Sequence, residues 1–282
     1  MTMKYFFLLF ITLFSVSLFA QTNLNFDKRF VESEDKWVAF EPNADSSFVY
    51  GFIYIDAQAG LTLNYEGSFK VLPNGKFEPK KLDSMNMKVR LEPNNVLVAF
   101  IPENKFEELK ISATPEWLKY YKTDTNSIER LYRWGYMYNA WNECAKALTF
   151  LERARKINPK FPKLAVELSF SYNCLQQYEK AEVVLEEEVK NNFSDAYVNK
   201  EYIYALTKNN KIDKAINQYN SSLQSLDSNQ YNAENCYNIL QYFYFQKDKE
   251  NFNNWYDELL KQPNENKMIT LYAERMKNDL NK

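Results

Sequence analysis

Residues 128–159 read IERLYRWGYMYNAWNECAKALTFLERARKINP, and residues 162–193 read PKLAVELSFSYNCLQQYEKAEVVLEEEVKNNF. Laid over each other at an offset of 34, Trp134-Gly135 falls on Leu168-Ser169, Tyr138 on Tyr172, Ala147 on Ala181, Leu151 on Leu185 and Ala154 on Glu188. Within each copy the apolar residues recur at three- and four-residue steps, as one face of a helix requires. Asn139-Ala-Trp-Asn142 and Gln176-Gln177 interrupt that period, and Asn158-Pro159 stops the second helix of the first copy. Such a period marks stacked helical hairpins, each burying against its neighbour an apolar face it cannot bury alone.

The pattern continues downstream. A third hairpin starts at Ala196, uses Tyr202, Ile203 and Leu206, turns at Asn209-Asn210 and returns through Ala215 and Tyr219. A fourth rests on Leu240, Phe243, Phe252, Tyr256 and Leu259 and closes near Pro263. Ala215 to Phe252 spans 37 residues, so three extra residues are expected around Ser225–Asn229. A last helix, Lys267 to Leu280, caps the stack. Upstream, Thr114-Pro115-Glu116 reads as a helix start. Trp117, Leu118, Tyr120 and Tyr121 give a short linking helix an apolar face, and Ser127 is placed to cap the next one.

Residues 21–112 read differently. Trp37–Phe40, Phe48–Ile55, Leu61–Tyr65, Ser68–Leu72, Met87–Leu91 and Val96–Ile101 are short β-branched and aromatic runs between Gly, Pro, Asn and Asp. Pro73-Asn74-Gly75-Lys76 fits a tight hairpin, and Glu92-Pro93-Asn94-Asn95 a second turn linking two strands. The Phe48–Ile55 run is apolar on both faces, which puts it at the centre of a small antiparallel sheet or sandwich.

The helical hairpins resemble tetratricopeptide repeats. Gly135, Ala147 and Ala154 stand where that family places small residues, Pro159 closes the unit, and Tyr178-Glu-Lys-Ala181 is typical of it. Glu188 and Ser222 depart from the pattern at Ala positions, and the second to fourth units lack the Gly. The whole chain is also similar to secreted tetratricopeptide-repeat proteins of Bacteroidetes-type bacteria with a β-rich segment before the repeats. That likeness rests on Tyr50-Gly-Phe-Ile-Tyr-Ile-Asp-Ala-Gln-Ala-Gly-Leu-Thr62, Pro115-Glu-Trp-Leu118 and Glu167-Leu-Ser-Phe-Ser-Tyr-Asn173. The fold class is α+β: a small antiparallel β-rich domain (21–112), a linking helix (113–127) and a tetratricopeptide-like solenoid (128–282) of about four hairpins and a cap helix.

Residues 1–20 carry one Lys, an apolar run and Ala20 before Gln21, as a secretory signal peptide cut after Ala20 does. The alternative is an uncleaved anchor, but an apolar run of about 16 residues falls short of the roughly 20 that span a bilayer. The protein is therefore read as exported, periplasmic or secreted. Net charge is −2, with no basic run, which argues against nucleic acid as a partner. No His is present, which removes His-based catalysis and nearly all zinc sites. No P-loop, G-x-G-x-x-G, C-x-x-C or calcium loop occurs, so no cofactor or metal is expected. Asp56, after a buried strand, is the carboxylate of most interest, and the plainer reading makes it a turn residue. The runs Lys105–Glu108 and Leu185–Glu188 read as solvated helix faces. The three Cys, at 144, 174 and 236, read as small buried hydrophobes, with a Cys144–Cys174 pairing across adjacent repeats as the alternative.

In a stack of this kind the first helix of each hairpin lines the concave face. Helical stepping places Tyr132, Tyr136 and Asn139, then Phe170 and Asn173, then Lys200 and Tyr204, then Tyr237 on it. Aromatics beside amides suit an extended peptide. The family members that clamp a C-terminal carboxylate use Lys and Asn here, and Tyr132 and Tyr136 stand at two of those places, which argues against that mode. The leading expectation is a non-catalytic interaction or scaffolding protein of the cell envelope. The alternatives are a glycan-binding protein and a carboxylate-based hydrolase in the β-domain.

Overall fold

A computed structural model describes residues 24–81, 87–191, 195–225, 230–264 and 266–282. The expected leader and its cut after Ala20, and residues 226–229 of the expected insertion, lie outside the described residues. The chain divides into two compact units: residues up to Tyr54 with Thr62–Glu116, and Ile55–Leu61 with Trp117–Lys282.

The first unit is built on one antiparallel sheet of β1 (Lys28–Arg29), β2 (Lys36–Ala39), β3 (Ser47–Asp56), β4 (Gly60–Val71), β5 (Phe77–Lys81), β6 (Met87–Arg90) and β7 (Leu97–Phe100). The order is β1-β7-β2-β3-β4-β5, with β6 also on β4. Val38 pairs with Gly51 on one side and Phe100 on the other, and Val71 pairs with Phe77. β3 is the central strand, and Tyr50, Phe52, Ile53, Tyr54 and Ile55 are all buried, as two apolar faces predict. Leu61–Tyr65 and Ser68–Leu72, read as two strands, form the single β4. Gly67 carries the chain through because a Cβ there would sit 2.5 Å from the Lys80 carbonyl oxygen. The Glu92–Asn95 turn joins β6 to β7, which pair with different neighbours and not with each other. An aromatic stack fills the unit: ring centroids are 4.5 Å apart for Phe69–Phe77, 5.2 Å for Phe48–Phe69 and 5.1 Å for Trp37–Phe52. Each such pair adds about 0.5–1.5 kcal/mol to its burial.

Lys105–Glu108 is not a solvated run. Lys105 is buried beside the Phe77 ring, and its Nζ donates to the Gly75 carbonyl at 2.8 Å and to Glu108 at 3.0 Å. Glu108 in turn accepts from the Phe77 N–H at 2.6 Å, so the start of α1 (Phe106–Leu109) locks the β4–β5 hairpin. Sequence pattern missed this because its partners lie about 30 residues away.

The linking segment Glu116–Tyr121 is 3₁₀, not α. Three residues per turn narrow its apolar face. Leu118 is buried, whereas Tyr120 is 71% exposed.

The second unit contains four helical hairpins: α2 (Ile128–Ala140) with α3 (Cys144–Ile157), α4 (Leu164–Cys174) with α5 (Tyr178–Asn191), α6 (Ala196–Lys208) with α7 (Ile212–Ser225), and α8 (Asn232–Phe245) with α9 (Lys249–Lys261). α10 (Lys267–Leu280) packs on α8 and α9. Ser127 caps α2 as expected, its Oγ accepting from the Arg130 N–H at 3.3 Å. Each hairpin turns through one left-handed residue, Asn142, Gln176, Asn210 and Lys247, where Asn is well tolerated. The first helices pack in series, α2 on α4, α4 on α6 and α6 on α8. The stripe Ala147, Leu151, Ala154, Ala181, Leu185, Ala215 and Tyr219 is buried throughout. Gly135 lets α2 and α3 close, since a Cβ there would lie 2.3 Å from Leu151 Cγ.

One cysteine expectation is overturned. Cys144 and Cys174 form a disulfide, with Cα atoms 6.2 Å apart. Cys144 opens α3 and Cys174 closes α4, so the stacking that sets hairpin turn beside hairpin turn brings them within bridging range. Cys236 remains a buried thiol, as expected, and burial pushes its pKa up to about 12.

Candidate functional site

The eight residues placed on the first helices by stepping line two adjoining cavities. One, of about 1000 Å³, is lined by Tyr132, Tyr136, Asn139 and Phe170, together with Phe161, Glu167, Tyr197 and Tyr231. The other, of about 530 Å³, is lined by Phe170, Asn173, Lys200, Tyr204 and Tyr237, together with Glu201 and Glu234. Phe170 is common to both, so the two form one groove across the hairpins. A third space of about 1190 Å³ shares Phe161, Lys163 and Tyr197 with the first and is otherwise walled partly by Val183 and Glu187 of α5.

The rings are arranged in pairs. Tyr132 and Tyr136 stack at 6.4 Å, Tyr132 and Phe161 lie 5.3 Å apart, and Tyr197 and Tyr231 lie 5.9 Å apart. Tyr136 is 47% exposed and offers its ring to solvent. Tyr132 is more enclosed, and burial lifts its phenol to about 12. Lys200 Nζ sits over the Tyr197 ring at 4.8 Å and the Tyr231 ring at 5.1 Å.

The two amides do not stand free in the groove. Asn139 and Asn173 are buried, and each ties its helix to the first helix of the next hairpin. Asn139 Nδ2 donates to the Glu167 carbonyl at 2.9 Å and to Glu167 Oε2 at 2.8 Å. One repeat later Asn173 Nδ2 donates to the Glu201 carbonyl at 3.2 Å and to Glu201 Oε2 at 2.8 Å. Thr207, 34 residues after Asn173, turns its hydroxyl back to the Tyr204 carbonyl, and the ladder ends there. Asn139 Oδ1 accepts from Ser171 Oγ at 2.7 Å. The position equivalent to Ser171 in the next repeat is Ala205, and Asn173 Oδ1 is left buried without a donor.

Glu167 is the member of the site that sequence reasoning missed. It is 4% exposed, and desolvation pushes its carboxyl up to about 7, with Glu201 adding to the rise while Asn139, Lys163 and Lys200 oppose it. The available signal was the matched pair Asn139/Glu167 and Asn173/Glu201 at the repeat offset. Tyr197 and Tyr231 were missed too; Tyr197 is the second residue of α6, and Tyr231 precedes α8.

Asp56 and Glu66, carboxylates of the strand region, have structural partners. Asp56 Oδ1 accepts from the N–H groups of Gln58 at 2.7 Å and Ala59 at 2.9 Å, which makes it a turn residue. Glu66 pairs with Lys81 at 3.0 Å. No cluster of His, Cys, Asp or Glu able to hold a metal occurs among the described residues. Nor is any described helix long and apolar enough to cross a membrane.

No protein-family model and no curated protein matches the chain. Solved structures do. MamA of AMB-1 is 19% identical over 51% of this chain and 76% of its own, at a TM-score of 0.41. YrrB, described as a TPR protein with an unusual peptide-binding site, is 20% identical over 54% of this chain and 76% of its own, at 0.45. A tetratricopeptide repeat protein of Parabacteroides merdae ATCC 43184 is 11% identical over 64% of this chain and 63% of its own, at 0.42. The tetratricopeptide-like architecture itself stands on the hairpin register and packing above.

Proposed function

We propose that the helical unit binds a peptide or protein segment in its two-cavity groove, as a non-catalytic interaction protein of the cell envelope. One observation carries the reading: residues chosen for facing the same way on four successive hairpins line two cavities that meet at Phe170. A groove of that kind fits an extended chain, whose successive side chains meet successive hairpins. Its walls offer large rings for contact area. Export is supported by the N-terminal segment and by the Cys144–Cys174 disulfide, since such bonds persist in oxidising compartments.

The test is crosslinking in intact cells of the source organism, read by mass spectrometry, with wild type beside a Tyr136→Ala/Phe170→Ala double variant. One envelope protein enriched by wild type and lost in the variant supports the reading. Loss of a polysaccharide instead, or no groove-dependent partner, refutes it.

A further inference from the structure

The repeats hold an internal comparison that specifies the chemistry of the bound segment. At Glu201 the buried carboxylate is fully matched: Oε2 accepts from Asn173, and Oε1 lies 3.0 Å from Lys200 Nζ. Lys200 is itself held over the Tyr197 and Tyr231 rings and lies 3.8 Å from Glu234. Thirty-four residues earlier the same frame recurs, with Asn139 for Asn173 and Glu167 for Glu201. The place of Lys200 is taken by Val166, and among the described residues no Lys or Arg makes an ion pair with Glu167; Lys163 and Lys200 act on it only from beyond contact distance. Glu167 Oε1 has no hydrogen-bond or ion-pair partner among the described residues. Glu167 is 96% buried by its 4% exposure, yet it lines the larger cavity.

A buried carboxylate without a cation in contact is costly, and the deficit is relieved by a partner that brings one to it. The aromatic half of the frame is also present, because Tyr132, Tyr136 and Phe161 wall the same cavity and none of them carries a cation among the described residues. Ring faces of this kind attract a lysine or arginine head group and pack against its methylene stem. The charge balance agrees: the two cavities are lined by five carboxylates and three cations.

We propose that the segment bound in this groove presents a lysine or arginine side chain, whose cation pairs with Glu167 Oε1 while its stem lies against Tyr132 and Tyr136. The external residue completes at the second hairpin the pair that Lys200 completes at the third. The inference rests on the peptide-groove reading above and adds the partner's chemistry to it.

The full chain is presented with four nonapeptide libraries that differ only in a fixed central residue: lysine, Nε-acetyl-lysine, norleucine or glutamate. Retention on immobilised protein is measured for wild type, Glu167→Gln and Tyr136→Ala. Glu167→Gln keeps an acceptor for Asn139 and is checked for folding by circular dichroism. Lysine peptides retained roughly tenfold over the other three by wild type, with that preference gone in Glu167→Gln, support the proposal. Acetyl-lysine serves the same purpose without any variant, because it removes the charge and keeps the methylene stem, and norleucine controls for the added acetyl group. Peptides retained in a Tyr136-dependent way without a cation preference overturn the proposal and leave the groove reading standing. No library retained overturns both.

Discussion

Reduction of the Cys144–Cys174 disulfide tests the packing of the first two helical hairpins. The bond closes a loop with a sequence separation of 30. The chain-entropy relation then gives a denatured-state restriction of about 12 cal/mol/K, or about 3.6 kcal/mol at 25 °C. For a unit of this size that corresponds to a fall in Tm of roughly 7–14 °C. Cys174 is solvent-exposed, so a phosphine reductant has access without unfolding. The assay is urea unfolding with and without reductant, read by the fluorescence of Trp134 and Trp141 in the first hairpin. Thiol counting under native conditions should rise after reduction, with Cys236 staying buried and slow to label. Oxidised and reduced transitions within about 1 kcal/mol of each other would refute the reasoning. They would show that the α3 start and α4 end are held together equally well without the bond.

Three further outcomes are expected. Ala205→Ser gives Asn173 Oδ1 the donor that Ser171 gives Asn139, and should stabilise the helical unit by about 1 kcal/mol in thermal or urea unfolding; an unchanged or lower stability would sink the equivalence of the two sites. Gly135→Ala gains about 0.5–1 kcal/mol of helix propensity but drives a methyl into Leu151, with a net loss of about 1–2 kcal/mol, and a stabilised variant would contradict the close approach. Glu167 holds its proton more tightly when folded, with its carboxyl raised from 4.5 to about 7 by burial and by Glu201, against Asn139, Lys163 and Lys200. The folded state therefore binds more protons between these values, so the Glu167 contribution to stability falls as pH rises from about 4.5 to 7, by about 3 kcal/mol in all. Glu167→Gln should lose that slope, and parallel pH–stability curves for variant and wild type would contradict it.

The helical half was legible because its signal is repeated. Tyr138, Ala147 and Leu151, met again 34 residues on as Tyr172, Ala181 and Leu185, set the face each helix buries, and the groove residues followed from the same register. The sheet was legible in its strands and less so in their pairing, since pairing depends on distant partners. β6 and β7 flank one turn yet join different strands. Lys105 shows the same limit, because a charge is read as exposed unless its partners at Gly75 and Glu108 are known. The disulfide depended on stacking distance between hairpins, which single-helix patterns do not contain. Glu167 escaped notice because charge on a helix is ordinarily solvated; only its pairing with Asn139, repeated at Asn173, distinguishes it.

The Asn–Glu ladder also bears on how such a protein can change length. Each rung joins a side chain near the end of one first helix to one in the next, and the same two residue types meet at both rungs. Excision of residues 164–197 would bring Glu201 into the register that Glu167 occupies, opposite Asn139, and the rung would re-form between them. The joint between hairpins is therefore interchangeable in its Asn–Glu contact, a property that lets a gene gain or lose a whole unit by unequal recombination and keep every buried carboxylate matched to an amide, although Asn139 Oδ1 would exchange the Ser171 hydroxyl for Ala205 and lose its donor. Cys174 would go with the excised unit, so a shortened descendant would keep its polar register and give up its covalent one.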